Sequence, residues 1–297
     1  MAKTKIAWAT ESWNPVRYLD GWMCSKRSPG CLNCYAESMN LRFGNKIGYH
    51  FCHTIEPKNF RLDDKVLNLP SHWRKPRRVF VQSMGDLFHK DIPFEFVDRI
   101  MAMVYLGGAH IWQVLTKRPE RMQEYFLSRY PMDDSCRVDR LPQWYQVAQN
   151  IIDESRGTQF DRFHKAAEVT DPRGTLPNLW LGVSVESEKY LHRINALNKI
   201  RAAVKFVSLE PLLEEIHVED YLMGYCKGKN VGRFWVICGP ETGPHRRPCK
   251  PEWIENIIEQ CDAAKVPVFV KAFPFGNRIS HDRAEWPEWA RRREYPK

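Results

Sequence analysis

From residue 78 to residue 273 the chain alternates short, nearly unbroken apolar runs with stretches of helical periodicity. That alternation restricts it to a parallel sheet covered by helices, because strands buried on both faces read as continuous apolar runs rather than as every second residue. The expected strands are "RVFVQSMGD" (78–86), "HIWQVLTKRP" (110–119), "LWLGVSVES" (179–187), "VKFVSLEPLL" (204–213), "FWVICGPETG" (234–243) and "VPVFVKAF" (266–273), with "SWNPV" (12–16) as a first strand. Helices are expected over 93–108, 120–129, 188–200 and 251–265, and from about Cys34 to a stop at Gly44. The first and last of the four begin with or just after proline, which suits the first helical turn. About seven such units favour a (β/α) partial or full TIM-like barrel over an open sheet. A weakly patterned polar stretch, roughly 131–177, reads as an insertion, since the alternation resumes directly after it. The barrel is thus expected over 1–276, with a basic tail over 277–297.

The chain has 297 residues, 43% of them hydrophobic, which suffices for one large core or two small ones. Its formal net charge of +9 favours contact with polyanions, nucleic acid above all. The N-terminal residues show neither the apolar core nor the cleavage site of a signal peptide, and no stretch approaches the roughly 18 apolar residues of a membrane span. A cytoplasmic protein without membrane contact is expected. There, clustered thiols point to metal binding or catalysis rather than to disulfides.

Nearly every expected strand ends in polar or charged residues: Ser83 and Asp86; Thr116, Lys117 and Arg118; Ser184 and Glu186; Ser208 and Glu210; Glu241; and Lys271. In a parallel barrel these ends converge on one face, where active sites are built. Lys117, Arg118, Glu210, Glu241 and Lys271 are therefore the candidate catalytic groups. The carboxylates can hold a cation, bond ribose hydroxyls or move protons, and the cations suit phosphate or carboxylate. "GPETGP" (239–244) lets backbone approach a ligand closely, but it is not a dinucleotide fingerprint.

Three of the nine cysteines, Cys24, Cys31 and Cys34, stand within eleven positions just after the first expected strand, and Pro29-Gly30 supplies the turn that returns the first thiol. Three thiolates can hold a [4Fe–4S] cluster with one iron left open to a small molecule, the arrangement that binds S-adenosylmethionine. They can equally form a structural zinc site with His50, Cys52 or His53 as fourth ligand. A position at the catalytic mouth favours the first. The remaining cysteines, Cys52, Cys136, Cys226, Cys238, Cys249 and Cys261, are scattered and read as small buried hydrophobes.

"SWNPV", "SPGCLNCYAES", "SMGDLFHKDIP", "QVLTKRPERM", "WLGVSVES", "VSLEPLL", "GPETGPHRRP" and "VPVFVKAF", in this order, resemble a phage-associated, largely uncharacterised three-cysteine family, up to about residue 276. That family is similar to the radical S-adenosylmethionine superfamily. The resemblance implies a partial barrel with the cluster loop after strand one, a [4Fe–4S] cluster on Cys24, Cys31 and Cys34, S-adenosylmethionine as cofactor, and an external electron donor. It also implies cofactor contacts from Ser83, Met84, Gly85 and Asp86, the last receiving the amino group, and from Ser184 and Glu186. The first cysteine gap here has six residues where the superfamily usually has three, and Asn33 stands where an aromatic residue commonly precedes the third cysteine.

Three stretches mix aromatics with cations: "WRKPRRVF" (73–80), "HRRPCK" (245–250) and "WARRREYPK" (289–297). They suit phosphate contact with base stacking, so DNA, RNA or a nucleotide is the expected substrate class. Two alternatives remain: a zinc-stabilised, non-catalytic nucleic-acid-binding protein, and a barrel enzyme with structural cysteines whose carboxylates bind a divalent metal.

Overall fold

The computed structural model describes residues 4–51, 55–129, 143–154, 175–226 and 233–296. The chain enters through β1 (Glu11–Trp13) and β2 (Val16–Tyr18), separated at Pro15, whose missing N–H interrupts a strand ladder. Then come α1 (Tyr35–Phe43), β3 (Phe60–Leu62), α2 (Asp64–Leu67), β4 (Arg78–Val81), α3 (Phe94–Leu106), β5 (Ile111–Thr116), α4 (Pro119–Arg129) and α5 (Gln143–Glu154). The remainder is β6 (Leu179–Ser184), α6 (His192–Asn198), β7 (Val204–Leu209), α7 (Glu219–Cys226), β8 (Phe234–Cys238), α8 (Pro251–Ala264), β9 (Val268–Val270), β10 (Phe273–Phe275) and β11 (Arg278–Ser280).

The main sheet has seven strands in the order β1-β4-β5-β6-β7-β8-β9. The pairs β1/β4, β4/β5, β7/β8 and β8/β9 are parallel. This is the mixed α/β winding expected from the alternation, and it is compatible with a partial barrel. The order is open at β1 and β9, so the full barrel is not shown. Among the described residues no helix is long and apolar enough to cross a membrane.

By compactness the chain divides into two units, the first Met1–Ser25, Ala36–Trp180 and Ile200–Ala203, the second Lys26–Tyr35, Leu181–Lys199 and Val204–Lys297. In the first unit, strand register puts Trp13, Val79, Val81, Trp112 and Val114 on one face and Ser12, Phe80 and Gln113 on the other. The indoles of Trp13 and Trp112 donate to the carbonyls of Val66 in α2 (2.7 Å) and Gly107 after α3 (3.0 Å), so the first of these faces lies under the helices. Asn178 fastens the end of α3 to the start of β6, its amide nitrogen donating to the carbonyls of Val104 and Gly107 while its own carbonyl accepts from the Trp112 N–H.

In the second unit the core is aromatic. Phe206 packs against Trp235, and Trp235 in turn against Phe269 and Tyr295, with centroids 5.3–5.9 Å apart. Helix α8 starts at Pro251 and stops at Lys265, which takes the left-handed conformation that ends helices.

Three elements differ from the sequence reading. The stretch expected as a weakly patterned insertion contains α5, which buries Trp144 and Ala148 and sets Trp144 and Tyr145 against Tyr105 of α3. The rest of that stretch, apart from residues 175–177, lies outside the described residues. The helix expected over 188–200 is instead a 3-10 turn, Glu188–Tyr190, followed by the shorter α6.

The segment expected as a basic tail from 277 is folded. It pairs β11 with β10 antiparallel and buries Trp286 and Ala290. It also returns along β9, where the Val270 N–H bonds the Arg292 carbonyl and the Glu294 N–H the Val268 carbonyl. The aromatics expected to stack on bases pack the segment instead, Trp289 against Phe273 and Tyr295 against Trp235.

Gly182 of β6 lies under Phe206, and a Cβ there would meet three ring atoms at 2.5–2.6 Å. The ring is buried and held on its other side by Trp235, so it cannot yield cheaply. Gly182→Ala is expected to cost roughly 1–3 kcal/mol, the usual penalty of overpacking, read as a lowered melting temperature. An unchanged melting temperature would mean that the Phe206 ring is free to move.

Candidate active site

In the first unit the polar groups at the ends of β4 and β5 form one connected network. Asp86 is buried, and a carboxylate offers about four acceptor positions. Its Oδ1 accepts from the Thr116 hydroxyl (2.6 Å) and the Phe88 N–H (3.0 Å), its Oδ2 from the Lys117 N–H (3.0 Å) and the Arg118 guanidinium (3.4 Å). All four positions are thereby taken within the protein. Arg118, aligned by Asp86, reaches the residue after Cys24, donating to the Ser25 carbonyl (2.9 Å) and to its hydroxyl oxygen (2.7 Å).

His89 lies 2.9 Å from the same hydroxyl through Nε2. The Asp91 N–H donates to Nδ1, which leaves the ring proton on Nε2, facing Ser25. Burial and the nearby Arg118 push the His89 pKa down to about 3, so the ring is neutral at pH 7. Ser83 and Met84 are tied to Asn14 of the β1–β2 turn, the Met84 carbonyl accepts from the Tyr49 hydroxyl, and a Cβ on Gly85 would come within 3.1 Å of the Met23 carbonyl. Here glycine is what lets the two backbones approach.

In the second unit the strand-end carboxylates hold the later part of the cysteine loop. Glu186, 0% exposed, accepts from the Gly30 N–H (3.4 Å) and from Arg193 (3.1 Å). Arg193 also donates to the carbonyl of Ser184, the residue at the end of β6. Glu241 accepts from the Asn33 amide (3.0 Å) and from the backbone N–H (2.8 Å) and Nε (2.9 Å) of Arg247. Arg247 continues to the Pro29 carbonyl at 2.9 Å. Burial alone would raise the Glu241 pKa, but the Arg247 and Asn33 hydrogen bonds outweigh it and hold the group below the usual carboxylate range.

The loop between these anchors contains the 3-10 turn Pro29–Cys31, and Cys34 immediately precedes α1. Further along the same strand ends, Lys271 Nζ lies 3.0 Å from Glu210 Oε1, and the Ser208 hydroxyl donates to Glu210 Oε2.

Cys24, Cys31 and Cys34 are all half-buried thiols. On donor chemistry they fit an iron–sulfur cluster, which takes thiolates. Among the described residues no group of three or more His, Cys, Asp or Glu is arranged to hold a metal ion. Of the expected zinc alternatives His50 is exposed, while Cys52 and His53 lie outside the described residues. Cys238, Cys249 and Cys261 are buried, as expected for small hydrophobes, and burial pushes the Cys249 thiol up to about 12. Cys136 lies outside the described residues.

The aromatic-basic stretches are largely spent inside the fold. Arg77 pairs with Glu11 and lies over Trp73, and Arg246 donates to the carbonyls of Gly243 and Asn277. Arg291 donates to the Trp286 carbonyl, Arg292 pairs with Asp262 and Glu294, and Arg293 lies over Phe269 and Trp286.

Sequence reasoning found the strand-end groups but missed Ser25, His89, Asn33, Arg193 and Arg247. Arg247 had been read as part of a basic patch and Asn33 only as a departure from the usual aromatic before the third cysteine, and no local signal marks the other three.

Because the four acceptor positions of Asp86 hold Thr116, Lys117, Phe88 and Arg118 in place, Asp86→Ala should destabilise the fold by roughly 3 kcal/mol, the scale for removing one partner of a buried ion pair. The measurement is denaturant unfolding without any cofactor. A loss under about 0.5 kcal/mol, the range of ordinary surface substitutions, would free Asp86 for the ligand-binding role expected from its sequence.

No curated protein matches this chain, and no solved structure does. One family model, described as "Protein of unknown function (DUF5131)", matches residues 3–291. Since that match covers nearly the whole chain, strand ends and cysteine loop included, the protein belongs to this family.

Proposed function

We propose that the chain is a radical S-adenosylmethionine-type enzyme acting on a nucleobase or nucleotide. Cys24, Cys31 and Cys34 would hold a [4Fe–4S] cluster, and S-adenosylmethionine would bind beside it. Together with an external electron donor, that pair supplies one-electron chemistry able to attack an unactivated C–H bond.

The observation that carries this reading is what the strand-end groups do. Glu186 and Glu241 fix Gly30 and Asn33 in one unit, and Arg118 fixes Ser25 in the other. Buried charge is expensive, and here it is used to set the positions of residues next to thiols. A non-catalytic zinc knuckle needs no such buried anchors.

The residues divide into roles. Asp86 is a positioning residue, since its acceptor positions are filled, and it acts through Arg118. Arg118 fixes the Ser25 carbonyl beside Cys24, and Arg118 and His89 together fix its hydroxyl. Glu186, with Arg193, and Glu241, with Arg247, fix the turn that carries Cys31. Lys271 and Glu210, 3.0 Å apart, form a pair that can hold a proton at Nζ or release it to a reacting group. Ser83, Met84 and Gly85 in the first unit and Ser184 in the second would contact the cofactor's polar groups. The substrate reading favours a base or nucleotide over a long polymer, because the guanidinium groups that would track a backbone are engaged within the fold.

Purification without oxygen tests the assignment. The expected result is a brown protein with about four irons per chain, its visible absorption bleached by dithionite. Cys24→Ala, Cys31→Ala and Cys34→Ala should each lose that absorption, while Cys249→Ala keeps it. A colourless protein with one zinc, or full iron retention in Cys31→Ala, would overturn the reading.

A further inference from the structure

Gln113 sits in the middle of β5, 0% exposed, and neither its amide oxygen nor its amide nitrogen has a hydrogen-bond partner among the described residues. Buried polar groups nearly always find partners, so a side chain with both ends unspent calls for an explanation. The first unit is able to satisfy such a group. Gln82, equally buried one residue beyond β4, donates from its amide nitrogen to the Val16 carbonyl (3.0 Å) and accepts the Val16 N–H (3.1 Å). Gln113 has nothing of the kind.

Its neighbours are aromatic. Register pairs Gln113 with Phe80 of β4, and Phe80 with Ser12 of β1, all on the face opposite Trp13 and Trp112. Trp8 packs on the same Phe80, centroids 4.7 Å apart. On the other side, the hydrogen bond from the Trp112 N–H to the Asn178 carbonyl sets Trp180 beside Gln113 in the parallel pairing. The amide thus stands between a phenyl ring and an indole, three residues short of the polar end of β5 at Thr116, or ~10 Å along the strand.

An amide offers one donor and one acceptor side by side. That matches a planar heterocycle whose edge carries an adjacent acceptor and donor, as in adenine, while flanking aromatics supply stacking surface. One charged side chain, Arg78, lies on this face in the register, paired with Ile111 at the start of β4 and β5, at the end of the strands away from Thr116. We propose that Gln113 is the base-reading residue of a substrate pocket on this face of the sheet, and that the ligand is a nucleobase presenting a donor–acceptor edge. From the reading above the inference takes only the substrate class.

The test uses the full chain as wild type, Gln113→Met and Gln113→Glu, with adenosine, cytidine, guanosine and uridine as probes and S-adenosylhomocysteine as control. Methionine keeps the shape and removes the amide. Gln113→Met should therefore melt at the same or a higher temperature without probe. By calorimetry it should bind the preferred nucleoside at least tenfold more weakly than wild type, and Gln113→Glu, which lacks the donor, should change the order of preference. Affinity for S-adenosylhomocysteine should stay within twofold.

The inference is overturned if Gln113→Met melts several degrees lower, since the amide would then be satisfied within the folded protein or by a buried water. It is overturned equally if no nucleoside binds wild type, if Gln113→Met binds as tightly, or if the control is lost in parallel. Iron content, read on the same samples, separates the two claims. Nucleoside binding that depends on Gln113 in an iron-free protein keeps this inference and ends the cluster assignment. An iron-loaded protein indifferent to nucleosides does the reverse.

Discussion

A carboxylate shut away from water must be met by donors, and at the ends of these strands the donors come from the cysteine loop and its supports. Glu186 meets the Gly30 N–H and Arg193, Glu241 meets Asn33 and Arg247, and Asp86 meets Thr116, Lys117, Phe88 and Arg118. Leaving any of these unpaired costs several kcal/mol, more than a short loop can recover by moving. The loop is therefore fixed by electrostatics rather than by its own secondary structure, which amounts to one 3-10 turn. Its side chains contribute little to the core: Leu32 and Tyr35 are exposed. A segment with little apolar anchorage holds a defined position only when its polar contacts are strong.

The same rule accounts for neutral His89. A protonated ring there would lie beside Arg118, so burial and that cation keep it uncharged, and it serves as a donor to Ser25. Lys205 shows the rule from the cationic side. Its amine sits among apolar neighbours near the carbonyl end of α6, donating to Asn198, and burial pushes its pKa down to about 8. Both groups lower the cost of burial, one by giving up charge and the other by using a helix terminus.

Much of the fold was legible because burial on both sheet faces leaves apolar runs: β5, β6, β7 and β8 start within one residue of their expected bounds but end three to five residues short, where the polar loops begin, and α8 matches to one residue. What was illegible depended on distant partners. The segment 277–297 read as a basic tail, its aromatics as stacking groups among cations, until Trp286 met Phe273 and the Trp235 indole met the Glu294 carbonyl. In the site, the thiols and strand-end groups could be read from type and position. Their pairing could not, since Asn33 and Glu241 are 208 residues apart and Ser25 and Arg118 are 93 apart. Gln113 was hidden for the opposite reason. A single polar residue in an apolar strand passes for noise until the faces are assigned.

The central claim is that strand-end carboxylates set the cysteine loop, and iron retention in Glu241→Gln compared with Glu241→Ala measures it directly. Glutamine keeps an acceptor for Asn33 and for the Arg247 N–H, whereas alanine leaves Arg247 without its partner and the loop without its anchor. The expected result, for protein prepared without oxygen, is most of the wild-type iron and absorption in Glu241→Gln and less than half in Glu241→Ala, with both variants folded by circular dichroism. Full iron in Glu241→Ala, with unchanged absorption, would show that the loop holds its shape without the carboxylate and would contradict the claim.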